Sequence, residues 1–239
     1  MSVEHLSGRS AVITGANSGI GKSLAVALSK VGINVALAAR TKSKLDDVVQ
    51  ECGPGKAVAI PTDVSNEQAI QNLMARTVDN FGRLDILITS AGGAAFAPIM
   101  ESRTDDWDML MNVNLRATYL CCKSALGYML PERTGHILNV LSIASHMALP
   151  GSAAYTASKF GALGLTKVLA AEARSEGIKV TAVIPGAVNT PLWDKSGGDL
   201  DRAKMLSPDD VAEAMLGVIA QPAGIHTDEL ALMPPLGVL

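Results

Sequence analysis

The chain has 239 residues, 48% of them hydrophobic and 18% charged, with a net charge of −3. That length is enough to bury a substantial core and fits one large α/β domain, while the composition excludes a disordered tail. The acidic balance, a pI of about 5.8 and an aromatic content of 3% argue against a nucleic-acid partner, which asks for basic surface and stacking rings.

The chain opens on "MSVEHLSGRS", without a basic-then-apolar targeting pattern, and no apolar run reaches membrane-spanning length. A cytoplasmic protein with no membrane partner is expected. Apolar, β-branched runs then recur in order: "AVIT" from residue 11, "INVALAA" from 33, "AVAIPT" from 57, "LDILITS" from 84, "HILNVLS" from 136, "KVTAVI" from 179 and "ELALMP" from 229. Helically spaced segments separate them, such as "GKSLAVALSKVG" from residue 21 and "DDWDMLMNVNLRATYLCCKSALGYML" from residue 105. Strand and helix in alternation, with strands apolar on both faces, predict a seven-stranded, doubly wound parallel sheet with helices on both sides. No linker, repeat or low-complexity tract breaks it, so residues 1–239 are read as a single α/β domain of the Rossmann type. Cys52, Cys121 and Cys122 form no CxxC pair and are read as buried reduced thiols; no metal site is expected. The polar stretch 189–210 is too long for an ordinary connection. Within it residues 190–206, with Gly197 and Gly198 beside Trp193 and Met205, are read as a mobile flap that closes over substrate.

The turn "TGANSGIGKS" after the first strand decides which phosphate the fold holds. It ends in Gly-Lys-Ser, yet a triphosphate P-loop needs four residues before that triplet, and Gly15 to Gly21 encloses five. The GxGxxG pattern fails too, because the glycines stand at 15, 19 and 21. What remains is a GxxxGxG turn into a helix starting near Gly19. It delivers bare amides and a helix N-terminus to a pyrophosphate, or it serves close packing alone.

"TGANSGIG", "SAGG" at 90–93, "NVNL" at 112–115, Ser142 followed by "YTASK" at 155–159, and "PGAVNTP" at 185–191 stand in one order. The chain resembles the short-chain dehydrogenase/reductase family over essentially its whole length. The resemblance implies a catalytic set of Asn114, Ser142, Tyr155 and Lys159. Ser142 would hold the substrate carbonyl, Lys159 would also bind the coenzyme ribose, and Asn114 would support a water-linked proton path. Tyr155 and Lys159, at i and i+4, share a helix face, where an ammonium is expected to lower the phenol pKa and fit it for acid–base work. Coenzyme contacts are implied for Gly15, Asn17, Ser18, Gly19, Ile20 and Gly21, for Ala91 and Gly92, and for Pro185, Gly186, Val188 and Thr190, besides Tyr155 and Lys159.

At the end of the second strand Ala39 stands where an NAD-preferring fold places an acid, and Arg40-Thr41 follow. An arginine there suits a 2′-phosphate, so NADPH/NADP+ is expected over NADH. Asp63 and Val64 match the family's adenine contact, although an aspartate capping the next helix would look the same. Thr89-Ser90 replaces the family's usual Asn-Asn pair, which puts the local hydrogen bonding in question. Ala144, Met147, Leu149 and Trp193 are expected to line an apolar substrate pocket. The expected activity is NADPH-dependent reduction of a small-molecule ketone or aldehyde. A 3-oxoacyl-acyl-carrier-protein reductase or a non-catalytic dinucleotide sensor stands as the alternative. Gly161 and Gly164, inside the helix that carries Tyr155, predict close packing against a symmetry mate in a homodimer or homotetramer.

Overall fold

Strand residues sort by parity onto two cores, as the pleat demands. In the computed structural model, which describes residues 3–194 and 201–237, the elements in chain order are β1 (Ser10–Thr14), α1 (Gly19–Lys30), β2 (Asn34–Ala39), α2 (Lys42–Cys52), β3 (Ala57–Pro61), α3 (Glu67–Phe81) and β4 (Ile86–Thr89). After these come α4 (Thr104–Leu110), α5 (Ala117–Glu132), β5 (Gly135–Val140), α6 (Ala153–Ala173), β6 (Ile178–Pro185), α7 (Pro208–Ile219) and β7 (Glu229–Leu232). Ala11, Ile13, Leu37, Ile88 and Val183 pack with Leu24 of α1 and Met215 of α7. Val12, Ala36, Leu87 and Ile137 pack with Leu73 of α3 and Ala125 of α5.

The strands form one parallel sheet in the order β3-β2-β1-β4-β5-β6-β7, with helices on both faces, as the alternation predicts. The order reverses between β1 and β4, and in such sheets a ligand crevice opens at the carboxyl ends of the strands beside that reversal. Local chemistry sets the helix boundaries. Asn66 caps α3 by accepting from the Ala69 amide at 3.0 Å, and Gly82 ends that helix in the left-handed region at φ 77°. Ser207 caps α7 with Pro208 behind it. Among the described residues no helix is long and apolar enough to cross a membrane.

The helical segment starting at residue 105 is not continuous. A π-helical stretch, Met111–Arg116, separates α4 from α5, and it carries Asn114; such wide turns recur at functional sites because they re-aim one side chain. The Thr89-Ser90 departure is resolved by another polar set. Thr89 donates to Asn139 Oδ1 at 2.8 Å, Asn139 donates to Thr166 Oγ1 at 2.9 Å, and Thr166 donates to the Ala162 carbonyl. All three side chains are buried, so the set ties β4 and β5 to α6 without leaving a buried polar atom unmatched. The three cysteines are free and buried, and burial pushes all three thiols up.

His136, at the amino end of β5, is buried and its Nε2 lies 2.9 Å from Thr181 Oγ1. The Thr181 hydroxyl is spent on the Thr227 carbonyl at 2.7 Å, so it accepts and the imidazole Nε2 carries the proton. Burial, reinforced by Lys179, His226 and Arg9, pulls His136 down to about 3. An unfolded histidine titrates at about 6.5. Between those values the unfolded chain takes up a proton that the folded chain refuses, so stability falls as pH drops through that window. Unfolding by urea at pH near 7.5 and near 4.5 should show His136→Gln losing about 2.7 kcal/mol less than the parent over that span, at about 1.4 kcal/mol per pH unit. Equal acid sensitivity of the two proteins would contradict this.

Candidate functional site

The site begins where β1 ends. Gly15 has φ 69°, and a Cβ there would stand 2.8 Å from both the Ala91 amide nitrogen and the Ser90 carbonyl oxygen. Thr14 Oγ1 accepts from the amides of Ser90 and Ala91, each at 3.1 Å. The first turn of α1 closes on the same point, since a Cβ on Gly21 would lie 2.6 Å from the Gly15 carbonyl oxygen. Ser18 occupies the cap position of α1 without a side-chain cap bond, so the first amides of this helix receive no acceptor from their own cap residue's side chain. Bare backbone, a helix N-terminus and no Cβ in the way make a cradle for a pyrophosphate. Asn17 and Ile20 lie on the same turn and first helical turn. Thr190 comes in from the segment after β6, and its methyl would be 3.0 Å from a Cβ on Gly19.

Arg40 and Thr41 follow β2 as exposed residues. Bonds from the Ser65 amide (2.9 Å) and hydroxyl (2.7 Å) hold the Asp63 carboxyl below the usual carboxylate range, and the charge of Arg40 adds to this. Asp63 therefore braces a turn and does not cap α3, a role that falls to Asn66. Val64 beside it is buried. At the far end of the sheet Pro185 closes β6, and Gly186 donates to the Leu232 carbonyl at 2.8 Å. Val188 bridges Leu206, and the Asn189 amide donates to the Leu206 carbonyl at 2.9 Å, which ties the two ends of the long connection together. Residues 195–200 of the expected flap, Gly197 and Gly198 among them, lie outside the described residues.

Ser142 leaves β5 in an extended conformation and caps a short 3-10 turn, accepting from the Ala144 amide at 3.2 Å. Tyr155 and Lys159 lie in the first turns of α6, both buried, with Lys159 Nζ 5.8 Å from the Tyr155 ring centroid. Lys159 donates to the Val140 carbonyl at 3.1 Å. Asn114 is held by three bonds: its amide donates to the Gly93 carbonyl and to Ser158 Oγ, each at 3.0 Å, and its Oδ1 accepts from the Gly93 amide at 2.9 Å. A Cβ on Gly92 would lie 3.1 Å from Asn114 Oδ1 and 3.9 Å from Lys159 Nζ, so Gly92, Asn114 and Lys159 converge on one point. Ser158, which the sequence reading passed over, joins that group and donates to the Tyr155 carbonyl at 2.7 Å.

One expectation is overturned. The neighbouring ammonium was expected to lower the phenol pKa, but burial raises Tyr155, opposed only by the Ser142 hydroxyl. Lys159 is itself pulled down to about 8 by the same burial. Removal from water penalises phenolate and ammonium alike, and it is the largest cause of both shifts.

Of the expected pocket residues, Ala144 and Leu149 pack with Tyr155, whereas Met147 is exposed and outside that group. Trp193 reaches the site through a residue that the sequence reading missed. Phe96 sets its ring edge against Tyr155, with centroids 5.8 Å apart at 64°, and stacks on Trp193, with centroids 6.0 Å apart at 15°. The available signal was a lone aromatic in "SAGGAAFA", just past the glycine turn.

Comparison with known proteins bears on this arrangement. The family model described as short chain dehydrogenase matches residues 9–201. An uncharacterized oxidoreductase of Staphylococcus aureus strain N315 is 36% identical over 229 residues, covering 96% of this chain and 98% of the relative. One from Staphylococcus haemolyticus is 33% identical with the same coverage. Among solved structures, a crystal structure of an actinorhodin polyketide ketoreductase variant with NADPH is 29% identical, with a TM-score of 0.87 over 96% of this chain and 97% of that one.

Proposed function

The chain belongs to the short-chain dehydrogenase/reductase family, and from that premise we propose that it reduces a ketone or aldehyde to an alcohol with NADPH as coenzyme. The observation that carries the reading is the buried phenol of Tyr155, with the Ser142 hydroxyl acting on it and the Lys159 ammonium 5.8 Å from its ring centroid. The cradle fits a dinucleotide: Gly15 and Gly21 leave no room for a side chain where the backbone must meet a diphosphate. Gly19, Ile20, Ala91, Gly92, Val188 and Thr190 would complete its binding. When bound, NADPH supplies the hydride.

Everything else falls to the chain. The substrate oxygen accepts hydrogen bonds from Tyr155 and Ser142, which orients the carbonyl and polarises it. As negative charge develops on that oxygen, Tyr155 delivers its proton. A phenol held above its ordinary pKa stays protonated at neutral pH, so it suits proton donation in the reductive direction. The same shift makes alcohol oxidation, which needs the phenolate, rise as pH increases. Lys159, anchored on the Val140 carbonyl, offers its remaining protons to the coenzyme ribose and its charge to the phenolate left behind. Asn114 and Ser158 hold the Gly92–Gly93 backbone and the Tyr155 turn in register. A non-catalytic dinucleotide sensor would have no use for this set.

Tyr155→Phe keeps the ring and removes the donor, so turnover on a ketone should fall at least about a hundred-fold, the low end for a general acid, with NADPH affinity nearly unchanged. Lys159→Ala should lower turnover and coenzyme affinity together. Steady-state rates and a fluorescence titration of bound NADPH measure both; near-parental turnover by Tyr155→Phe would end this reading.

Coenzyme choice rests on Arg40, exposed at the end of β2 with no acid at Ala39. Arg40→Ala should weaken NADPH by roughly ten- to a hundred-fold, as expected for a lost charge-assisted contact, and leave NADH little changed. Parallel titrations that weaken both coenzymes alike would remove the assignment.

The protein is also proposed to act as a homodimer or homotetramer. Tyr119 of α5 and Phe160 and Val168 of α6 are exposed, which supports a mate on that face. Gly161 does not need one, because a Cβ there would meet Leu115 of the same chain at 2.9 Å; Gly164 faces open space. Light scattering at micromolar concentration should give a multiple of 24.8 kDa, and a monomer mass would refute the assembly.

A further inference from the structure

The chain holds two tryptophans, three tyrosines and three phenylalanines, and one of each meets at the site. Phe96 lies between the other two, edge to Tyr155 and face to Trp193. The indole is fixed because its Nε1 donates to the Val188 carbonyl at 2.9 Å. That bond satisfies the donor on its polar edge. Around Tyr155 the remaining packing comes from Leu110, Leu149 and small residues, Ala94, Ala95, Ala144 and Ala154. Ala94, Ala95, Phe96 and Trp193 are all only partly buried, so this set keeps exposed surface beside Tyr155.

Among the described residues, the charged groups on the same chain segments are engaged. Lys159 is anchored on Val140, Asp194 pairs with Arg202 at 2.5 Å, and His146 pairs with Glu229 at 3.0 Å. Among the described residues, the side chains packed around Tyr155 and Phe96 supply no cation beyond Lys159, so a carboxylate or phosphate entering beside these rings is poorly received.

We infer that Phe96 and Trp193 select the substrate: an uncharged ketone whose carbonyl is conjugated to, or directly bears, a flat aryl group. The inference rests on the carbonyl-reductase reading above and deepens it. A flat π-system gains edge or offset contact with the two rings beyond the area it buries, whereas a linear alkyl chain gains burial alone. One such aromatic contact is worth about two- to twelve-fold in affinity.

The test uses the full chain with NADPH and three probes: phenyl methyl ketone, a linear methyl ketone of equal carbon count, and a β-keto acid. For the parent, kcat/KM should favour the aryl ketone over the linear one by about ten-fold, with the keto acid poorest. Phe96→Leu should bring the aryl-to-linear ratio close to unity, and Trp193→Leu serves the same purpose if Phe96→Leu does not fold. A second readout does not depend on turnover. With Trp107 replaced by Phe, Trp193 is the remaining indole, and the aryl alcohol product should quench it saturably in the presence of NADP+ while the linear alcohol does not. Equal rates on aryl and linear ketones, preference for the keto acid, or an unchanged ratio in a folded variant would overturn the inference. If the parent reduces no ketone at all, the carbonyl-reductase reading fails. The quenching titration then decides the aromatic selection alone, where absence of saturable quenching overturns it.

Discussion

At the end of β1 two backbones approach so closely that no side chain can stand between them, and the site is arranged around that approach. Gly15 faces the Ser90–Ala91 peptide, and Thr14 accepts both amides of the same turn. The contact sits where the sheet order reverses, so it joins the two halves of the sheet at the point where the crevice opens. Gly21 then lets α1 settle onto the Gly15 carbonyl. Any Cβ inserted here would push α1, the β4 loop or both away, and would move the anion cradle relative to everything beyond β4. The glycines in this turn are therefore selected for distance as much as for conformation, since only Gly15 and Gly19 have positive φ and Gly21 does not.

Burial is the second organising influence, and it acts on the two titrating groups in opposite directions. One desolvated environment raises the phenol of Tyr155 and lowers the ammonium of Lys159, because each loses its hydration when charged. The result separates two groups whose ordinary pKa values nearly coincide in water, and it favours the neutral form of each. The Ser142 hydroxyl works against part of this by favouring the phenolate. Tuning at this site thus comes from excluded water first and from neighbouring polar groups second.

How much of this was legible in the sequence depends on the range of the signal. Strand count, parallel arrangement and the start of α1 at Gly19 are local, carried by runs of apolar residues and by glycine spacing, and all agree with the structure. The interruption at Met111–Arg116 was not legible, because a π turn preserves the helical look of the sequence while adding one residue to the turn. The sign of the Tyr155 shift was missed for another reason. Sequence spacing gives the distance between phenol and ammonium, whereas burial is a property of the assembled fold. Phe96 and Ser158 escaped for a similar reason: each gains its meaning from a partner 40 or more residues away, Asn114 for Ser158 and Trp193 for Phe96.

The long connection after β6 has both ends fastened. Val188 bridges Leu206, the Asn189 amide donates to Leu206, and the Leu206 amide donates to the Ala187 carbonyl at 2.9 Å. The entropy of closing a loop grows only slowly with its length, and here the closure is made by backbone bonds at the base. The stretch between these ties is then a replaceable cassette. Its length and side chains can change without the sheet registering the change, provided Ala187–Asn189 and Leu206 keep their pairing. An evolving lineage, or an engineer, can exchange that segment for another and alter what the crevice admits while leaving the folding of the domain alone.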